Sequence, residues 1–188
     1  MITSSFRPKA GRFLISEPFS ADTNFQRTVV LLVEHGTEGS LGFVLNRQIQ
    51  SRLHELVSGM DNMDPPVFMG GPVEQNSLHY IHQLGDLPGA REIVPGLYWS
   101  GDFESLKERV QHGRVKEEDI LFFVGYSGWA PGQLDQELSR KYWIIAPEGS
   151  HPLFGDPAAN EDMWRTILQQ MGTKYKIISN YPVDPRLN

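Results

Sequence analysis

Cysteine is absent from all 188 positions, which rules out disulfides, thiolate catalysis and every sulfur-ligated metal site. Long apolar runs are missing too. Nowhere do about 18 apolar residues follow one another, so no membrane-spanning helix is expected. The opening Met-Ile-Thr-Ser-Ser-Phe-Arg-Pro-Lys-Ala holds no apolar core of the length a secretory signal needs. The protein is therefore expected in the cytoplasm and off the membrane. Positive charge is in deficit: 17 Lys and Arg stand against 23 Asp and Glu, for a net charge of −6, and only Arg140 and Lys141 are adjacent. Nucleic-acid affinity is dominated by clustered Lys and Arg, so direct nucleic-acid binding is disfavoured. A nucleotide phosphate loop is lacking as well, because Gly132 is followed by Gln133 where Gly-Lys-Ser or Gly-Lys-Thr would be required.

What is present describes an ordinary folded chain, with 39% hydrophobic and 21% charged residues and no low-complexity tract. A domain of about 150 residues buries roughly 70% of its unfolded surface, so one core suffices here. Residues 1–188 are read as one domain, with 1–10 and 181–188 as extended terminal segments.

The central stretch is Ile120–Leu138. Ile120 to Val124 reads as a buried strand, Gly125 to Gly128 as a tight glycine corner, and Pro131 with Leu134 and Leu138 as the start and apolar stripe of a helix. Upstream, Phe13–Ile15, Thr28–Val33 and Leu41–Leu45 read as strands. The last two are joined by a Gly36–Gly39 hairpin and are so continuously apolar that both faces should be covered. Ser51–Ser58 is expected as a short helix capped by Ser51. Val67–Met69 leads into a second glycine corner at Gly70-Gly71-Pro72, with further strands at Leu78–Leu84 and Leu97–Ser100 and a surface loop over Gly85–Gly96. Asp102 should cap a helix that Gly113 closes. Tyr142–Ala146 is another strand, and Asn160–Met171 a helix stopped by Gly172. About eight strands and four helices, partly in runs and partly alternating, make the class α+β.

Arg27-Thr-Val-Val-Leu-Leu-Val-Glu-His35, Gly42-Phe-Val-Leu-Asn46, Gly70-Gly71-Pro72-Val73, Gly125-Tyr126-Ser127-Gly128-Trp129, Pro131-Gly-Gln-Leu134 and the closing Asp184-Pro185 resemble, in order, the motifs of the AlgH/YqgE family of bacterial proteins. The resemblance implies a bifurcated, mostly antiparallel sheet curled into a pseudo-barrel with about four helices packed outside. It implies no established reaction, only a transcriptional-regulator label attached through alginate control. The family usually carries Ala where Ser127 stands, which argues against an essential hydroxyl.

Each candidate site has a plain structural counterpart. Gly125-Tyr-Ser-Gly-Trp is similar to a nucleophile elbow, but Trp129 occupies the fifth position, where that motif has glycine, and His151 is the sole downstream histidine. A packed corner is favoured over catalysis, and no catalytic residue is assigned. Helix N–H groups after the corner offer a weak anion site. Gly70 and Gly71 can line a pocket or make a bend. His79 and His82, three apart on a strand, point to opposite faces and cannot share one ion, so no metal or other cofactor is expected. Asp135 and Glu137 read as solvated. Trp129, Trp143, Trp164 and Phe123 read as core. If the hairpin ends beside the glycine corners, Arg27, His35, Asn46, Ser127 and Gln133 converge with Gly70 and Gly71 on one small-molecule pocket. The resulting expectation is a non-catalytic regulatory module binding a small or anionic ligand or a protein partner. The alternative is a metal-independent hydrolase or transferase using a polar pocket near Asn46 and the Gly125–Trp129 corner.

Overall fold

A computed structural model describes residues 6–155, 160 and 162–182. Among these it forms ten strands: β1 (Phe13–Ser16), β2 (Val29–Gly36), β3 (Gly39–Val44), β4 (Gln48–Arg52), β5 (Pro66–Met69), β6 (Val73–His82), β7 (Arg91–Val94), β8 (Leu97–Trp99), β9 (Ile120–Trp129) and β10 (Trp143–Ala146). Five α-helices accompany them: α1 (Leu53–Leu56), α2 (Phe103–Gln111), α3 (Gln133–Ser139), α4 (Met163–Gln170) and α5 (Thr173–Ser179). The fold is α+β.

One curled, open sheet runs β10-β1-β2-β3-β9-β6-β8-β7, with β4 and β5 branching from β9. Its pairings are antiparallel except for β5 with β9. The branch point lies on β9. Its first half pairs with β5 through Phe122, Phe123 and Val124, while its second half pairs with β3 through Ser127, Gly128 and Trp129. Gly125 sits between the halves at φ +68, a left-handed conformation that costs glycine nothing and a side chain about 1 kcal/mol or more. The strand changes partner where its one left-handed residue lets it bend.

Helices cover the sheet in three places. Met163, Trp164, Ile167 and Leu168 of α4 pack on a core that includes Phe13, Leu31, Phe43 and Phe123. Leu106 and Val110 of α2 close a second core with Val67, Ile120 and Phe122. Leu134 and Leu138 of α3 lie with Trp129, Trp143, Leu14 and Val30 in the third. Trp129, Trp143, Trp164 and Phe123 are all buried, and β2 is buried through Val33, as its apolar run requires.

Several expectations need correction. Gly125 to Gly128 is no corner but the continuation of β9, because β3 supplies backbone partners to residues 127–129. Pro131 precedes α3, whose N-cap is Gly132. The first helix is only Leu53–Leu56, since Ser51 and Arg52 are taken up by β4 pairing with β5. The Gly85–Gly96 loop contains β7, recruited by pairing with β8. Asn160 does not cap α4, which starts after Asp162. Gly172 at φ +107 turns the chain into a fifth helix, α5. Asp102 does cap α2, its carboxylate accepting from the Ser105 N–H at 2.8 Å. The expected extended ends at 1–5 and 183–188, with Asp184 and Pro185, lie outside the described residues.

Candidate functional site

The two glycine-rich motifs meet each other. A Cβ on Gly70 would stand 2.4 Å from the Gly125 carbonyl oxygen, one on Gly71 2.2 Å from the Tyr126 oxygen, and one on Gly125 2.5 Å from the Gly71 oxygen. The Ser127 hydroxyl, fully buried, donates to the Gly70 carbonyl at 3.0 Å. Gly70 also donates to Val124 and accepts from Val44, both at 2.9 Å, which ties β3, β5 and β9 together at the fork. The space a ligand would use at this backbone is filled by backbone.

The other sequence-derived candidates are dispersed. Asn46 accepts from the Val29 N–H at 3.0 Å and donates to the Arg27 carbonyl at 2.9 Å, stitching the end of the hairpin to its beginning. Arg27 lays its guanidinium 4.9 Å from the Trp164 ring centroid, donates to the Tyr181 carbonyl, and is shifted below its usual pKa by burial and by Arg165. His35 pairs with the Ser40 hydroxyl at 2.8 Å near the hairpin tip. Of the seven, Gly71 lines a small cavity of about 260 Å³ with Arg47 and Gln75, and Gln133 lines a different one. None of five cavities bordered by the described residues brings together two of Arg27, His35, Asn46, Ser127 and Gln133.

Gln133 leads to the arrangement that sequence reasoning missed. A cavity of about 460 Å³ opens between the Ser16–Phe25 segment and the ends of β9, α3 and β10. Trp129 ends β9, Trp143 begins β10, and Glu137 lies on α3 between them. Glu137 Oε2 accepts both indole N–H groups, from Trp129 at 2.8 Å and Trp143 at 2.7 Å, and Oε1 accepts from the Gln133 amide at 2.9 Å. Gln133 in turn accepts from the Ala130 N–H at 2.9 Å, so the clamp is anchored to the backbone before α3. Hydrogen bonds to a charged acceptor are short and strong, and buried donors left without one would be costly.

The two indoles pack edge-on with centroids 5.8 Å apart, and Phe25 adds an edge contact to Trp143 at 5.3 Å and a stacked one to Trp129 at 6.5 Å. The three rings thus form one continuous wall. Tyr142 extends the lining, and Glu17 and Asp22 join Glu137 as its acidic residues, with no Lys or Arg among the described lining residues. Volume, apolar surface and a few convergent polar groups are the usual features of a small-molecule site. A neighbouring cavity of about 450 Å³, reaching Tyr175 and Ile178, shares Glu17 and Trp143 with it and is lined also by Arg7, Ser139 and Lys141.

The histidines serve elsewhere. His82 is buried, with Nε2 donating to the Ser100 carbonyl at 2.8 Å and Nδ1 accepting from the Leu84 N–H at 3.1 Å, an arrangement that fixes the neutral ring. Burial lowers its pKa, and lowers that of half-buried His79 beside Phe43 and Tyr126. Among the described residues no group of three or more His, Asp or Glu could hold a metal ion, and no helix is long and apolar enough to cross a membrane.

Comparison with known proteins finds relatives along nearly the whole chain. A family model described as AlgH-like matches residues 13–176. A UPF0301 protein of Chlorobium luteolum is 41% identical over 183 residues, 97% of this chain and 96% of its own length. One of Cytophaga hutchinsonii is 42% identical over 180 residues, 95% of this chain and 98% of its own. Among solved structures, the AlgH protein of Pseudomonas aeruginosa superposes with a TM-score of 0.70 at 27% identity, covering 96% of this chain and 98% of that one. A Corynebacterium diphtheriae protein reaches 0.76 at 19% identity, covering 96% and 95%, a likeness of fold.

Proposed function

The chain belongs to the AlgH-like family, and from that premise we propose that it is a non-catalytic regulatory protein that binds a small molecule in the cavity around Glu137. One observation carries this reading: a single carboxylate inside a cavity of about 460 Å³ is held by two indoles and an amide. The clamp pins α3 across β9 and β10, which are separated in the sheet by β1, β2 and β3. A ligand that adds to or competes with those bonds shifts α3 against the sheet, and differential affinity for the two positions is what a binding-driven response requires. A cytoplasmic location and a protein partner that reads the position of α3 belong to the same proposal. The net charge of −6 favours a protein over a nucleic acid as that partner.

The hydrolase or transferase alternative lacks a nucleophile at the fork, since Ser127 is buried and its hydroxyl is spent on the Gly70 carbonyl. A serine needs a positioned base to attack, and among the described residues no histidine hydrogen-bonds it.

Thermal denaturation with a metabolite panel tests the reading. A ligand at 100 times its dissociation constant stabilises the folded state by about 2.7 kcal/mol. The stabilisation should vanish in Ala21→Phe, which fills the cavity mouth from an exposed position. Stabilisation that persists in Ala21→Phe, or a panel without any effect, would refute the site.

A further inference from the structure

The lining of the Glu137 cavity has a chemical bias that the binding reading alone does not use. We infer that its ligand is a small organic cation carrying an ammonium group; the inference rests on the proposal that this cavity is a ligand site and specifies what enters it.

Three features point the same way. The described lining residues include three acids, Glu17, Asp22 and Glu137, and no Lys or Arg, so a cation gains and an anion loses on entry. Four aromatic side chains, Phe25, Trp129, Tyr142 and Trp143, line the same space, and aromatic faces attract ammonium ions through the ring quadrupole, tryptophan most strongly. Finally, both indole N–H groups donate to one carboxylate oxygen. Such a bond satisfies the electropositive edge of each ring and polarises electron density toward its faces, which strengthens them as cation acceptors. It also removes the two N–H donors that an anionic ligand would otherwise seek.

The geometry further limits the pose. Centroid spacings of 5.3 to 6.5 Å mean that Phe25, Trp129 and Trp143 pack on one another, leaving no gap between them for a cation. The ammonium group therefore rests against this wall rather than inside a cage, on the cavity side where Glu17 and Asp22 supply countercharge. Glu137 orients the wall, while the other two carboxylates are available to face the ligand. Asp22 spends one oxygen on the Asn24 N–H at 2.9 Å, a cap that asparagine also provides. Substituting it by asparagine keeps the local turn and removes the charge.

The test is a tryptophan-fluorescence titration of the full chain with four probes: choline, butylammonium, the neutral choline isostere 3,3-dimethylbutan-1-ol, and butyrate. At least one of the two cations should saturate with an apparent Kd about tenfold or more below that of the alcohol, with butyrate weakest. Glu17→Gln with Asp22→Asn should abolish most of that preference in protein that still unfolds cooperatively near the parent melting temperature. Equal binding of cation and alcohol would overturn the cation inference and leave the ligand site standing. Preferred binding of butyrate would do the same. No saturable change with any probe, at concentrations where the protein is folded, would remove both.

Discussion

The glycine fork and the Glu137 cavity are built on opposite plans. At the fork, Gly70, Gly71 and Gly125 bring two backbone segments so close that even a methyl group would meet a carbonyl oxygen within 2.5 Å. At the cavity, side chains from three elements bond to one another and border about 460 Å³ of space. The lesson concerns glycine-rich motifs: two of them close together can mean that each is the other's ligand. The residue type with the less conspicuous pattern, an acid on an amphipathic helix, ends up with the convergent chemistry.

Substitutions sharpen this contrast. The largest effect is expected from Gly125→Ala, which forces a side chain into the left-handed region at φ +68 and against the Gly71 oxygen. A loss of about 3 kcal/mol or more in urea denaturation is expected, because rigid backbone cannot yield to an inserted methyl as a flexible side chain can. A loss under about 1 kcal/mol would mean that the fork is looser than its geometry implies.

Glu137→Ala comes next. It leaves the indole N–H groups of buried Trp129 and Trp143 without their acceptor, and a loss of about 2 kcal/mol is expected together with altered tryptophan emission. Ser127→Ala is expected to cost about 1 kcal/mol or less, since the Gly70 carbonyl keeps its bond from the Val44 N–H. Ligand-induced stabilisation should survive this change intact. If Ser127→Ala abolished binding while Glu137→Gln retained it, the roles of the two regions would have to be exchanged.

Acid should probe a strand common to neither region's chemistry. His82 and His79 on β6 have pKa values lowered in the fold, mainly by burial. Unfolding lets them take up protons near their ordinary value of about 6.5. Their neutral forms therefore contribute stability that is fully present above about pH 6.5 and is lost as pH falls toward the lower folded values. Denaturation free energies measured from pH 7 down to 5 should decline, and less steeply in His82→Gln.

Much of the fold is legible in the amino-acid order because local pattern and burial coincide. The β2–β3 hairpin combines two apolar runs with a glycine turn, and α2 combines Asp102 with an apolar stripe, so both are read correctly. The misreadings arise where tertiary pairing overrides local preference. Gly125-Tyr-Ser-Gly looks like a break in isolation and becomes strand only because β3 lies alongside. Arg91–Val94 is too short and polar to declare itself without β8. The cavity was less legible still. Glu137 reads as a solvated acid because its partners come from beyond both ends of its helix, Trp129 eight residues before and Trp143 six after. The available signal was the i, i+4 pair Gln133 and Glu137 with a tryptophan on either side, which a single-helix reading assigns to solvent.

The central claim, that ligand chemistry resides at Glu137 and the glycine fork is scaffold, is most directly tested by 1H–15N NMR titration with the panel compound that stabilises the protein most. The account predicts saturable shifts of the Trp129 and Trp143 indole N–H signals while the amides of Gly70, Gly71 and Gly125 stay in place. Movement of the fork amides with silent indoles would contradict it.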